Sequence, residues 1–463
     1  MTWTRELGSF RDPSGFVFSW DGEVYRQVNA GRGDAYLRFT KSGLYDDLAR
    51  ERLLVAHEEV PLRLPDAPPA LAVLKPQQIP FISYPYEWCF GQLKAAALLT
   101  LEVQRRALAR GMILRDASAY NVQFLGTRPI FIDTLSFGEY VEGRPWSAYR
   151  QFCQHFLAPL ALRAYAHHSL GDLARVHIDG IPLDVSSRLL PFRSRLSPGL
   201  LMHVHLHGRA AGHDGRAGAP VPTAVDGGMS RSAMLGLIDS LDRTVRHLTW
   251  KPRATLWSNY AAHLNYTEAA QEHKRQVVAR MIDETATRAK PGMIWDLGAN
   301  SGTYSRLAAA TGAHVVSFDA DHAVIEQLFE RSRESVAGIL PLVQDLTNPS
   351  AAAGWNGAER RALAERGPAD LALALALVHH LAIGGNVPLE SVAAFFERIC
   401  RRLIVEFVPR EDSQVQRMLA LREDVFADYT QGAFERAFGA RFRILRSTAI
   451  EGTVRTLYSM ERR

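Results

Sequence analysis

Residues 293–308, MIWDLGANSGTYSRLA, constrain this chain more than any other stretch. The apolar run Met293-Ile294-Trp295 ends in Asp296, glycines follow at 298 and 302, and an alanine-rich helical pattern begins at about Thr303. The spacing predicts a strand, a tight turn and a helix, in which Gly298 and Gly302 supply the dihedrals and clearance that bring backbone N–H groups close to a ligand. A second predicted strand, AHVVSFDAD, ends in Asp319, 23 residues after Asp296. An acid at that point of a βαβ unit can accept hydrogen bonds from ribose hydroxyls. A further apolar segment, ILPLVQDLTNP, carries Asp345. Three strand ends with acids in this order predict a site for an adenosine-containing cofactor.

Dinucleotide folds favour G-x-G-x-x-G, whose close-set glycines admit a pyrophosphate. Here the pattern is D-x-G-x-x-x-G, with two glycines and a carboxylate at the loop entrance, which suits a cationic, phosphate-free ligand better. The motif DLGANSG resembles the first motif of the class I S-adenosylmethionine-dependent methyltransferases. That resemblance implies S-adenosylmethionine as cofactor, contacted by Asp296, Gly298, Asn300, Gly302 and Asp319, with Asp345 on the adenine side. Two other readings are weighed against it: a dinucleotide-dependent oxidoreductase, and a non-enzymatic nucleotide-sensing protein.

At 463 residues the chain exceeds what one core usually supports, so two domains are expected. The break falls at GRAAGHDGRAGAPVPTAVDGG, residues 208–228, a Gly/Ala/Pro-rich linker without apolar periodicity. The expected domains are therefore 1–207 and 229–463. In the second, LALALALVHHL, ICRRLIVEFVP and the pair FRILRSTAI and RTLYSMER continue the strand series, with helical patterns between several of them. This predicts an α/β Rossmann-like domain, a mainly parallel sheet with helices on both faces.

No apolar stretch reaches the roughly 18 residues of a membrane span, and the opening MTWTRELGSF lacks a basic-then-apolar signal pattern. A cytoplasmic location is expected. The three cysteines, Cys89, Cys153 and Cys400, match neither a disulfide framework nor a metal site. The net charge of +5 invites a nucleic-acid reading, but only six of the 54 basic residues are lysine and no dense basic run interleaves with aromatics. A small-molecule or saccharide methyl acceptor is favoured over nucleic acid.

The first 207 residues read as α+β. GFVF and EVYRQV flank the hairpin turn Asp21-Gly22, helical patterns follow at about 44–54 and 90–110, and short strands lie near 70–84. The stretch GMILRDASAYNVQFLGTRPIFIDTLSF resembles the catalytic core of the protein-kinase-like and aminoglycoside-phosphotransferase-like fold. The resemblance implies Asp116 as base, with Asn121 and Asp133 as magnesium ligands beside ATP. The pattern departs from that family at Leu114, where histidine is usual, at the reduced loop DPSGF with Gly15 alone, and at Arg26, where the phosphate-binding lysine belongs. Because arginine's planar fork is no simple substitute for lysine, nucleotide or phosphate binding without transfer, or substrate docking, is expected of this half. Across the whole chain, DPSGFVF, ISYPYEW, ILRDASAYN, FIDTLSF, QFCQHFLAPLAL, DLGANSG, LALALVHHLAI and EFVPREDS resemble bacterial methyltransferases related to the NoeA nodulation protein.

Methyl transfer requires acceptor and methyl in line within a water-poor pocket, and a base where the acceptor must lose a proton. His379 and His380, just beyond the predicted fourth strand, are candidate bases, since imidazole titrates near neutrality. Glu406, closing the fifth strand, is a third catalytic candidate at the pocket edge, with an arginine partnership as its structural alternative. Asn259, Tyr260, Tyr266 and Lys274, just before the first strand, are expected to cover the cofactor. His203, His205 and His207 lack nearby cysteines or acids at zinc-site spacing and read as packing residues.

Overall fold

The computed structural model describes residues 3–209, 228–252, 267–335, 338–420, 423 and 425–463. The linker expected at 208–228 falls almost wholly outside the described residues, as do Asn259, Tyr260 and Tyr266. The chain forms two compact units: Met1–Lys251 with Ala353–Arg360, and Pro252–Ala352 with Arg361–Arg463.

In the first unit, β1 (Trp3–Arg5), β2 (Gly15–Trp20), β3 (Glu23–Asn29), β4 (His57–Glu59) and β5 (Ala70–Pro76) form an antiparallel sheet in the order β1-β2-β3-β5-β4. Asp21 (φ 49°) and Gly22 (φ 82°) close the β2–β3 hairpin, both in the left-handed region that a two-residue turn matches to strand twist. The buried helix α1 (Phe90–Ala109) follows, then β6 (Met112–Leu114), β7 (Val122–Leu125), β8 (Arg128–Phe131) and β9 (Phe137–Glu139), paired as β6–β9 and β7–β8.

Two segments expected in the second domain belong to the first. Helix α2 (Arg231–His247) buries Met234, Ile238, Leu241 and Val245 at helical spacing. It packs along α1, where Arg105 meets Asp239 at 2.6 Å and Lys94 Nζ donates to the carbonyls of Arg246 and Leu248. The expected start of the second domain at 229 is therefore corrected to 252. Residues 353–360 also pack in the first unit: Arg11 donates through Nε and Nη2 to both carboxylate oxygens of Glu359 (3.0 and 2.7 Å), whose side chain is only 1% exposed. A Cβ at Gly8 would lie 2.8 Å from the Glu359 carbonyl oxygen, so the two backbones are in close contact.

The second unit opens on α3 (Glu268–Arg288) and is built on seven strands: β10 (Met293–Leu297), β11 (His314–Asp319), β12 (Ile339–Val343), β13 (Leu371–Ala374), β14 (Arg402–Phe407), β15 (Phe442–Ala449) and β16 (Thr456–Arg462). Their order is β12-β11-β10-β13-β14-β16-β15; the first five are parallel, and β16 runs antiparallel to both neighbours. The strands read as continuous apolar runs because helices cover both faces of a parallel sheet. Helices α4 (Thr303–Ala309), α5 (His322–Ser335), α6 (Leu389–Ile399) and α7 (Gln431–Arg441) connect them. The chain leaves β10 toward β11 and β12, then returns to β13 on its other side. That reversal puts a crevice beyond the C-terminal end of β10, where open α/β sheets bind ligands.

Candidate active site

The crevice is shaped by the loop after β10. Gly298 (φ 78°), Asn300 (φ 46°) and Gly302 (φ 74°) are all left-handed, a conformation that glycine enters freely and asparagine tolerates. The amides of Gly298 and Ala299 donate to the Phe318 carbonyl at 2.8 and 2.9 Å, pinning the loop to the end of β11. A Cβ at Gly302 would sit 2.4 Å from Leu328 Cδ1. Gly302 therefore acts by letting α4 start against α5, whereas Gly298 and Asn300 line the cavity directly.

Asp319 ends β11 with both carboxylate oxygens engaged: Asn300 N donates to Oδ2 at 2.9 Å and Asp321 N to Oδ1 at 3.0 Å. Burial pushes its pKa up to about 6 against these bonds. Asp296 lies deeper, accepting from Ser305 Oγ at 2.6 Å, and Ser317 Oγ donates to Ser305 in turn at 2.9 Å. Burial raises its pKa to about 6 as well. Asp345 Oδ1 receives the amide and hydroxyl of Thr347 at 2.8 and 2.7 Å. Asp296, Gly298, Asn300, Asp319 and Asp345 thus line one cavity of about 690 Å³, together with Lys274, Tyr304, Gln344, Ala376 and His380.

The three catalytic candidates separate. His380 lines the cavity, opening a short π-helical turn (His380–Gly384), and burial together with nearby Arg455 lowers its pKa to about 4, so the ring is neutral at pH 7. His379 is not on the wall; it is 1% exposed, its Nδ1 has no hydrogen-bond partner among the described residues, and burial drives its pKa well below the usual range.

Of the two readings weighed for Glu406, the structure shows the arginine partnership. Glu406 is fully buried behind the cavity, with Lys274 Nζ 2.5 Å from Oε2 and Arg455 Nη1 3.3 Å from Oε1. Arg455 also grips Asp412 through Nε and Nη2, at 2.7 and 3.1 Å. An acid on an apolar strand is tolerable only when compensated, and here two cations compensate it. Lys274, expected over the cofactor, links this cluster to the wall and lies 5.3 Å from the Tyr304 ring centroid. Sequence reasoning missed Tyr304, Ser305 and Gln344. It also missed Ala376, whose positive φ of 55° on the wall no sequence pattern announces.

In the first unit, Asp116, Asn121 and Asp133 do come together, but not as an open metal site. Asp116 Oδ1 accepts from Ser118 N and Gln151 Nε2, and burial raises its pKa. Asn121 Nδ2 donates to the Asp116 carbonyl and to Ser136 Oγ. Asp133 accepts from Leu135 N and Ser136 Oγ, and Arg26 Nη1 stands 2.5 Å from its Oδ1. Where magnesium ligation by Asn121 and Asp133 was expected, the Arg26 guanidinium faces Asp133. The Gly15 Cβ position lies 2.1 Å from the Gln27 carbonyl oxygen and 2.8 Å from Leu135 Cδ1, so the reduced loop packs directly onto this cluster. His203 and His205 have each ring nitrogen within 2.9 Å of a tyrosine or serine hydroxyl, as packing histidines do. Among the described residues no group of His, Cys, Asp or Glu is arranged to hold a metal.

The sheet order, with its antiparallel last strand, and the left-handed loop tied to Asp319 give the second unit the Rossmann-like fold of the class I methyltransferases. No family model matches the chain. It is 37% identical over 479 residues to the nodulation protein NoeA of Rhizobium meliloti (strain 1021), covering 99% of this chain and 96% of that protein. The chain belongs to the NoeA family. Solved structures with a similar fold include the magnesium protoporphyrin IX methyltransferase ChlM of Synechocystis PCC 6803 with bound SAH (16% identity, TM-score 0.32, covering 44% of this chain and 93% of that one). The N-methyltransferase NodS of Bradyrhizobium japonicum WM9 is 10% identical, with a TM-score of 0.31 over 41% of this chain and 97% of that one. The bifunctional kinase-methyltransferase WbdD is 17% identical, with a TM-score of 0.29 over 41% and 39%.

Proposed function

We propose that the second unit transfers the methyl group of S-adenosylmethionine to a small-molecule or saccharide acceptor. The observation that carries this reading is Asp319, a half-buried carboxylate at the end of β11 already ordered by the amide of Asn300 in the glycine loop. The residues fit the cofactor: Asp319 would hold the ribose hydroxyls, Asp345 and Gln344 would bound the adenine side, and Asp296 adds a carboxyl suited to a cationic ligand. When bound, the cofactor supplies an electrophilic sulfonium methyl. His380, neutral at pH 7, can take a proton from the acceptor, and the apolar wall of Leu375, Leu377 and Leu381 excludes water from that step. Two glycines rather than three, with an acid at the loop entrance, favour this reading over a pyrophosphate-bearing dinucleotide.

We further propose that the first unit is a kinase-like module that docks substrate or phosphate without transferring phosphoryl groups. Its antiparallel five-stranded sheet, followed by α1 and the Asp116–Asp133 segment, supports the kinase-like reading; the Arg26–Asp133 pair supports the loss of metal-dependent chemistry.

Calorimetry with S-adenosylhomocysteine on the full chain tests cofactor binding. Asp319→Ala should weaken affinity by at least about tenfold, since a charged hydrogen bond contributes about 1.5–3 kcal/mol. Labelled S-adenosylmethionine incubated with fractionated extract then reads the acceptor class: label on RNA would overturn the acceptor assignment. Tryptophan quenching by NADH but not by S-adenosylhomocysteine would restore the oxidoreductase reading.

A further inference from the structure

Asp296 differs from Glu406 and Asp412, two other buried acids of the second unit, in what compensates its charge. Glu406 has Lys274 and Arg455 against its two oxygens, and Asp412 is gripped by Arg455 through Nε and Nη2. Asp296 is 2% exposed and has a hydroxyl instead: Ser305 Oγ donates to its Oδ2 at 2.6 Å, and among the described residues no cationic side chain is ion-paired with it. The charge of Lys274 reaches Asp296, but its Nζ is held 2.5 Å from Glu406 Oε2. Burial pushes the Asp296 pKa up to about 6 against the Ser305 bond, and the neighbouring Asp319 adds to the rise. Both effects mark a carboxylate short of a counter-charge.

A carboxylate held out of water without a cation beside it is costly. This one lies on the wall of the cavity at the end of β10, with Gly298, Asn300 and Asp319. The cavity as a whole is negative, since six carboxylates line it against three cations, Lys274, Arg275 and Arg331. Of these cations, Arg275 already lies against Glu272, as Lys274 does against Glu406. Ser317 Oγ donates to Ser305 in turn, so Asp296 is anchored from the protein side. Among the described residues no third ligand joins Asp296 and Asp319 to hold a metal. A sulfonium suits the position, because it brings a fixed positive charge and no N–H that needs an acceptor.

We propose that Asp296 is the residue by which the cavity tells S-adenosylmethionine from S-adenosylhomocysteine. The inference rests on the cofactor reading above and adds a specificity to it. Adenine, ribose and the amino-acid group are common to the two molecules, so Asp345, Asp319 and the glycine loop cannot separate them. What differs is the positive charge at sulfur, present before methyl transfer and gone after it. A buried carboxylate that lacks a counter-charge attracts the charged form and has no such attraction for the neutral one. The spent cofactor is therefore the weaker ligand, and fresh cofactor displaces it.

Calorimetry of the full chain with three ligands, above pH 7 where Asp296 is ionised, tests the proposal. S-adenosylmethionine should bind at least about tenfold more tightly than S-adenosylhomocysteine, through the attraction of unlike charges in a site of low dielectric. Sinefungin, which carries an ammonium group in place of the methylsulfonium, should follow S-adenosylmethionine. Asp296→Asn keeps the volume and an acceptor for Ser305, and should bring the three affinities within about threefold of one another. Asp319→Asn should weaken all three ligands and leave their order intact, a pattern that a damaged fold would not give. The wild-type order is itself a test should Asp296→Asn not fold. Equal affinities in the wild type, or a preference for the charged ligands that survives in Asp296→Asn, would overturn the proposal and leave the cofactor reading in place. Binding of none of the three would overturn both.

Discussion

Glu406 offers the sharpest test of the site as built, because its sequence position reads as catalytic and its surroundings read as structural. Its carboxylate is fully buried between Lys274 and Arg455, and Arg455 keeps a second partner in Asp412. Glu406→Ala would take from Lys274, whose side chain is 8% exposed, the carboxylate 2.5 Å from its Nζ. Breaking a buried pair by removing one partner costs about 3–5 kcal/mol. For a unit of this size each kcal/mol lowers the melting temperature by about 2–4 °C, so a fall of roughly 6–20 °C is expected. Glu406→Gln keeps the volume and one acceptor and should fall toward the lower end. Differential scanning calorimetry of the full chain reads the stability. Titration with S-adenosylhomocysteine below the new transition reads the site, where affinity should stay within about threefold because Glu406 does not line the cavity. In the cycle with Lys274→Met, the double variant should recover part of the loss, since it removes both charges. A melting temperature unchanged in Glu406→Ala, together with a hundredfold loss of methyl transfer, would refute the structural role and return Glu406 to catalysis.

Other expectations follow from the same geometry. S-adenosylhomocysteine affinity should fall as pH drops through about 6, because Asp319 then protonates and its acceptor role in ribose binding is lost, and should level off above pH 7; calorimetry across pH 5–8 reads the slope, and a flat profile would mean that the carboxylate is not at the ribose. His380→Asn should lower turnover by about a hundredfold or more with cofactor affinity retained if the acceptor needs a base, whereas His379→Leu should leave turnover within a few-fold; the reverse pattern would exchange their roles. Gly302→Val should abolish cofactor binding, since its side chain would collide with Leu328 in a left-handed backbone; retained affinity would show that α4 can shift. Magnesium with ATP should leave the melting temperature unchanged, because Arg26 already faces Asp133; a clear rise abolished by Asp133→Ala would restore the metal site.

Much of the second unit was legible because its signals are local. The glycines at 298 and 302 require a turn, and the acids at 296, 319 and 345 lie at or within two residues of the ends of largely apolar strands. The Asp21-Gly22 hairpin was legible for the same reason. Partnerships between distant residues were not. Glu406 in LIVEFVP reads identically whether it faces a ligand or a pair of cations, and Arg455 lies 49 residues further on. Asp133 reads as a metal ligand until Arg26 is seen against it. The amphipathic stripe of α2 announces that the helix is buried, not which core buries it. His379 and His380 have the same intrinsic chemistry, and only the turn after β13 decides which of them reaches the cavity.

The residues 353–360 bind the history of the first unit to synthesis of the second. Glu359, the buried partner of Arg11, leaves the ribosome only after residues 252–352, all of which belong to the other unit. At about 5–20 residues per second that is a delay of roughly 5–20 s. During it, Arg11, Gly8 and Tyr120 have no Glu359 or Arg360 against them. The nascent first unit therefore waits, incomplete, for a piece of sequence encoded a hundred codons downstream. A gene cut at codon 251 would leave it in that state permanently.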